Sequence, residues 1–188
     1  MTGFQHAFLC LSVLRNGVLG CMIIMLCAGT SLAQDSLARC DRYAALQADP
    51  AHTAPPVAFE MLDATSAILS CTNALEQPLS EMELGRVWLQ LGRGYLKGGQ
   101  SAEAMAAFKQ AASHHYPAGY FALGVAYYLG DDIPSDHKRA EELLKTALEK
   151  GVIWSAKALS ALYDDPSSDY YDRQLASHFD RLFAKKNL

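Results

Sequence analysis

The sequence predicts an all-α fold: a short right-handed solenoid of antiparallel helix pairs behind an N-terminal helical cap. Three observations carry it. Strand signals are scarce, with no sustained period-2 alternation and no Asn-Gly or Asp-Gly hairpin turn. Apolar residues recur at three and four, the spacing of a helix face. The helices come in pairs, and the pairs repeat in register.

Residues 1–33 stand apart. They hold one cation, Arg15, and no acid, and the apolar run "GVLGCMIIMLCAGTSLA" closes on Ser31-Leu32-Ala33. That order of charge, apolar core and small-x-small end is that of a secretory signal, cut between Ala33 and Gln34. The run is shorter than the roughly 20 apolar residues of a spanning helix, so no stable membrane span is expected after cleavage. "VLGC", ending at Cys21, is an imperfect lipidation site and a lesser alternative. The mature chain keeps 15 cations against 20 acids, a net −5. Such a mixed, mildly acidic chain lacks the electrostatic footprint of a nucleic-acid binder.

Two cysteines remain after the leader, Cys40 and Cys71. An even pair in an exported chain favours a disulfide. Two buried thiols or a redox pair are the alternatives; the C-x-x-C of a redox pair is absent. Residues 34–79 read as two helices split by a Pro-rich loop, Pro50 to Pro56, and form the cap pair. The disulfide would support a terminal pair that lacks a neighbour on one side.

Residues 80–188 carry three repeats. Ser80 and Glu83 form a capping box, after which Leu84, Val87, Trp88, Leu91 and Tyr95 make one apolar stripe. Gly98-Gly99 stops that helix. Ser101 caps the next, whose stripe is Ala104, Ala107, Phe108 and Ala111. Pro117 starts a third at the first-turn position, bearing Phe121, Leu123, Val125 and Tyr127 and ending near Gly130. A fourth runs from about Asp136 to Lys150 and stops at Gly151. Leu91-Gly92…Tyr95 returns as Leu123-Gly124…Tyr127 and, weakened, as Leu159-Ser160…Tyr163. Ala104, Ala140 and Ala176 keep one spacing of 36.

"AGYFALGVAYYLGDDIPSDHKRAEELLKTALEKG" resembles a Sel1-like repeat, whose pattern is A-x-x-x-L-G-x-x-Y-x-x-G-x-G-V-P-x-D-x-x-K-A. The matching residues are Leu123, Gly124, Tyr127, Gly130, Ile133 for the Val, Pro134, Asp136, Ala140 and Gly151. The second turn glycine is replaced by Asp132. The first pair is closer to the tetratricopeptide pattern through Trp88, Leu91, Gly92, Tyr95, Ala104, Phe108 and Ala111. The third copy departs most, with Pro166 at the turn glycine and Asp169 at the apolar plug, and is read as a degenerate capping repeat. The resemblance covers residues 81–183. It implies a non-catalytic adaptor or regulator of the cell envelope, with a protein or peptide partner held on a concave face.

Ser135-Asp136-His137-Lys138 is an S-x-x-K, as in penicillin-recognising enzymes, but the S-D-N is absent and Lys145-Thr146-Ala147 lies inside a helix. An envelope hydrolase on Ser135 and Lys138, or a cell-wall-binding module, are the competing functions. His114, His115, His137 and His178 read as solvated helix ends rather than metal ligands. Asp131-Asp132, Glu141-Glu142 and Asp164-Asp165 read as polar surface, with Glu141 placed to pair with Lys145. No H-E-x-x-H, G-x-S-x-G or EF-hand pattern occurs, and no cofactor or metal is expected. Arg93, Tyr120 and Tyr128 are the candidate partner-binding residues on the first-helix, concave surface, by the preference of interfaces for Tyr and Arg. "LGRGYLKGGQ" is a helix end rather than a phosphate loop, since a capped helix precedes its glycines. Gly92 reads as a close-approach residue and Gly94 as an exposed one.

Overall fold

The computed structural model describes residues 34–130 and 133–186. The expected leader lies outside the described residues. Eight α-helices and one 3-10 turn, with no strand, make up the described residues. Residues 34–44 are α1. A 3-10 turn at Phe59–Met61 precedes α2 (Ala64–Leu75), α3 (Glu81–Lys97) and α4 (Ser101–Ser113). Then come α5 (Pro117–Leu129), α6 (His137–Glu149), α7 (Trp154–Asp164) and α8 (Arg173–Lys186). Consecutive helices from α2 onward pack on one another, and α3 touches α5 as α5 touches α7. This is the stacking of first helices in a pairwise solenoid. No helix among the described residues is long and apolar enough to cross a membrane.

The ends of the helices follow local chemistry. Ser80 accepts from the Glu83 N–H while the Glu83 carboxylate accepts from the Ser80 N–H, completing the capping box. The Ser80 hydroxyl and then the Ser80 N–H, both donating to it, hold the Glu83 carboxyl below its ordinary range. Gly99 turns the chain at φ 72°. Ser101 is not the cap of α4: Gln100 holds that position, with no side-chain cap bond. Asp63 caps α2 through the Ser66 N–H, and Asp136 caps α6 through the Arg139 N–H.

Within each of the first two repeats the paired helices meet as a knob against a glycine. A Cβ on Gly92 would lie 2.4 Å from Phe108 Cε1, and one on Gly124 2.7 Å from Leu144 Cγ. The two contacts are equivalent, since Phe108 and Leu144 are 36 residues apart like the alanines before them. The third copy puts Asp180 at that register and Ser160 in place of the glycine. Asp180 turns outward to Lys157 at 2.8 Å, and Phe179 stacks on Tyr163 at 5.6 Å instead. With no knob there, no glycine is needed. Gly92→Ala is therefore expected to cost about 1–3 kcal/mol by overpacking, although alanine is the better helix former. Chemical denaturation of the variant measures it, and an unchanged or raised midpoint would contradict the knob.

Gly94 is buried, not exposed. A Cβ there would sit 3.1 Å from Ala67 Cβ and from Ile68 Cγ1, so the glycine lets α2 lie close on α3. A disulfide joins Cys40 on α1 to Cys71 on α2, and both residues are fully buried among Leu37, Ala44, Ala67, Val87 and Leu91.

The connection from α1 to α2 is longer than the Pro-rich loop alone. It runs through residues 45–63 with only the 3-10 turn in it. A connection of that length without regular structure is uncommon and needs its own anchors. It has them along the repeat array. Ala48 packs with Ala147 and Val152, at the α6–α7 junction. Leu46 packs on the cluster of α4 and α5.

Candidate functional site

One face of α3 carries Arg86, Gln90, Arg93 and Lys97, at offsets of four, seven and eleven. A helix with an apolar core face ordinarily turns such a polar face to water. In the structure it is covered by residues 41–60. Gln90 Nε2 donates to Asp41 Oδ1 at 2.8 Å, and Arg86 Nε lies 3.1 Å from the same oxygen. Thr53 donates its hydroxyl to Asp41 Oδ2. Arg93 donates to the carbonyls of Ala44 and Ala45, both at 2.7 Å, and of Val57 at 2.8 Å. Lys97 Nζ donates to the Glu60 carbonyl at 3.1 Å and stands over the Phe59 ring. Beyond α4, the buried Tyr116 donates its hydroxyl to Asp49 Oδ2 at 2.6 Å, and the Ala51 N–H donates to Asp49 Oδ1.

Arg93 is thus corrected as an exposed anchor. Only 6% of its surface is accessible. Its guanidinium ends α1 by taking the helix's last carbonyls, and the charge tolerates burial because three oxygens replace water. Burial pulls its pKa down to about 10, which leaves it cationic at neutral pH. No carboxylate pairs with it among the described residues.

Burial raises the pKa of Asp49, opposed by the bonds from Tyr116 and Ala51. A folded pKa above the unfolded one adds stability that is full below the unfolded value, near 3.8, and is lost as pH rises through the folded value. Asp49→Asn should therefore lose less stability than the parent between pH 4 and pH 7, as urea midpoints across that range measure. Parallel curves would contradict it.

Tyr120 and Tyr128 are half-buried and do not converge with Arg93. They sit eight residues apart on α5, about 12 Å along its axis. Lys150 Nζ lies over the Tyr120 ring, whose hydroxyl is 3.3 Å from His115 Nδ1. Tyr128 lies 5.9 Å from the His137 ring, and burial raises its pKa, helped by the charge of Asp165.

A different feature opens between α3, α4 and α5. It is an apolar groove enclosing a cavity of about 210 Å³. Met105, Phe108, Phe121, Val125 and Ile133 are among the residues lining it, and Arg93 is its one charged lining residue. Three large apolar residues of its lining are open to solvent: Phe59 at 40%, Leu96 at 39% and Leu129 at 58%. Phe121, Val125 and Leu129, spaced by four, form the α5 wall. The sequence signal was available. No residue from Pro117 to Leu129 is charged, and a helix apolar all round needs cover on more than its core side.

Ser135 and Lys138 line a second, open depression with Asp136, His137, Asp169 and Tyr170. Asp136 is occupied as a helix cap, and no hydrogen bond joins Ser135 to Lys138 among the described residues. Nor does any group of three His, Cys, Asp or Glu side chains converge there to hold a metal. His114 pairs with Glu81 at 2.7 Å, tying the end of α4 to the start of α3.

Stacked helix pairs, each touching its neighbours, define a helical-repeat protein. The chain has the Sel1-like repeat fold. It is similar to a solved Sel1 repeat protein from Oxalobacter formigenes, with 25% identity and a TM-score of 0.52. The match covers 66% of this chain and 51% of that one, so this chain matches about half of that protein's length. No family model matches the chain, and no curated protein does.

Proposed function

We propose that this chain is a non-catalytic adaptor or regulator of the cell envelope that holds a protein partner in the groove between α3, α4 and α5. The observation that carries the reading is the cluster of Phe59, Leu96 and Leu129, exposed around one apolar cavity. Exposed apolar residues gathered at a groove mark an interaction site, whereas single ones need no explanation. The occupant is a helix or peptide that lays apolar side chains into the groove. Export is supported by the leader-like composition of residues 1–33 and by the disulfide, which belongs to an oxidising compartment.

A photo-crosslinking residue at Leu96 or Leu129 should capture the same partner from the periplasm, and one at Tyr171 should not. Leu129→Gln should weaken that partner about tenfold or more, the loss of one buried leucine, with thermal stability nearly unchanged. Equal binding by Leu129→Gln, or capture from Tyr171 alone, would remove the groove from the mechanism. Turnover of a chromogenic β-lactam, abolished by Ser135→Ala, would replace the adaptor with a hydrolase.

A further inference from the structure

Resting on that reading of the groove, we propose that the partner segment carries a carboxylate beside its bulky apolar side chain, and that this carboxylate faces Arg93. Two independent features lead there. The first is shape. A half-open cavity of about 210 Å³ suits one large side chain, while the exposed Phe59, Leu96 and Leu129 around it extend the contact beyond that side chain. A small molecule would leave this margin uncovered; a protein segment covers it.

The second feature is charge. Arg93 lines the groove and is its only ionised lining residue. Its hydrogen-bond partners are the neutral carbonyls of Ala44, Ala45 and Val57, which use three of the five N–H groups of a guanidinium. By contrast the neighbouring Arg86 has Asp41 beside it. A buried cation without a counter-charge draws an anion more strongly than one in water, because the surrounding dielectric is low. Lys97, one turn along the same face, adds a second cation near Phe59. An acid that enters beside an apolar anchor is therefore favoured over a neutral or basic one.

The probe is 4-phenylbutyrate, an apolar ring with a carboxylate, compared with the neutral 4-phenylbutanamide. Both are titrated into the intact disulfide-bonded protein and followed by methyl resonances of Leu96, Met105 and Leu129. The carboxylate should bind about tenfold more tightly than the amide, as a charge-assisted bond replaces a neutral one. The preference should shrink in high salt less than that of a surface pair, because the site is sheltered. Equal binding of the two probes at those methyls would overturn the carboxylate while leaving the groove standing. Binding of neither would remove the groove as well. Dodecanoate binding more than about a hundredfold tighter than 4-phenylbutyrate would reassign the site to a lipid, since tail length would then dominate. Varying the probe rather than Arg93 keeps the answer independent of the arginine's structural work.

Discussion

Replacing Arg93 with alanine is expected to lower the unfolding free energy by about 3–5 kcal/mol, the scale of breaking a buried charged network. The loss has two parts. Three bonds from a charged donor vanish, each worth about 1.5–3 kcal/mol at most. The carbonyls of Ala44, Ala45 and Val57 are left in a site where side-chain atoms have displaced water. Arg93→Lys should recover only part of the loss, because an ammonium cannot span the three oxygens as a planar fork does. Urea unfolding of the three proteins measures this. A cost for Arg93→Ala within about 0.5 kcal/mol, the range of an ordinary surface change, would show that residues 44–57 are held by other contacts.

The second large effect concerns the disulfide. Cys40→Ala with Cys71→Ala should cost about 3.5 kcal/mol, from loop closure over the 31-residue separation. Both sulfurs are fully buried, so mild reductant should leave the native protein oxidised and act only as it unfolds. Thiol alkylation before and after denaturation separates these states. Rapid alkylation of the native, reductant-treated protein would contradict the burial.

The helices and the repeat phase were readable in the sequence because each depends on near neighbours. Ser80 and Glu83 find each other within one turn, and Leu91-Gly92…Tyr95 returns at the same internal spacing as Leu123-Gly124…Tyr127. The third copy was readable as degenerate, although its compensation by Phe179 was not. What escaped was every contact made by residues 41–60. Arg93 reaches Val57 across 36 residues, and Tyr116 reaches Asp49 across 67. No local period reports such pairs. A polar stripe on a helix looks the same whether water or another stretch of chain lies against it. That ambiguity turned Arg93 into a surface candidate and hid the groove, whose α5 wall of Phe121, Val125 and Leu129 was absorbed into the general apolarity of that helix.

Residues 45–60 also change how the whole array comes apart. Repeat arrays are ordinarily built from contacts between neighbours, and their stability adds up unit by unit. Here Ala48 rests on Ala147 and Val152, about a hundred residues further along. That contact links the first helix pair to the third without passing through the second. It raises the mean sequence separation of contacts, which slows folding relative to a purely local array. During synthesis Ala48 lacks this seat until α6 and the start of α7 exist. Once they do, the first helix pair and the α5–α6 pair share one cooperative unit, which a purely neighbour-to-neighbour array would not give them.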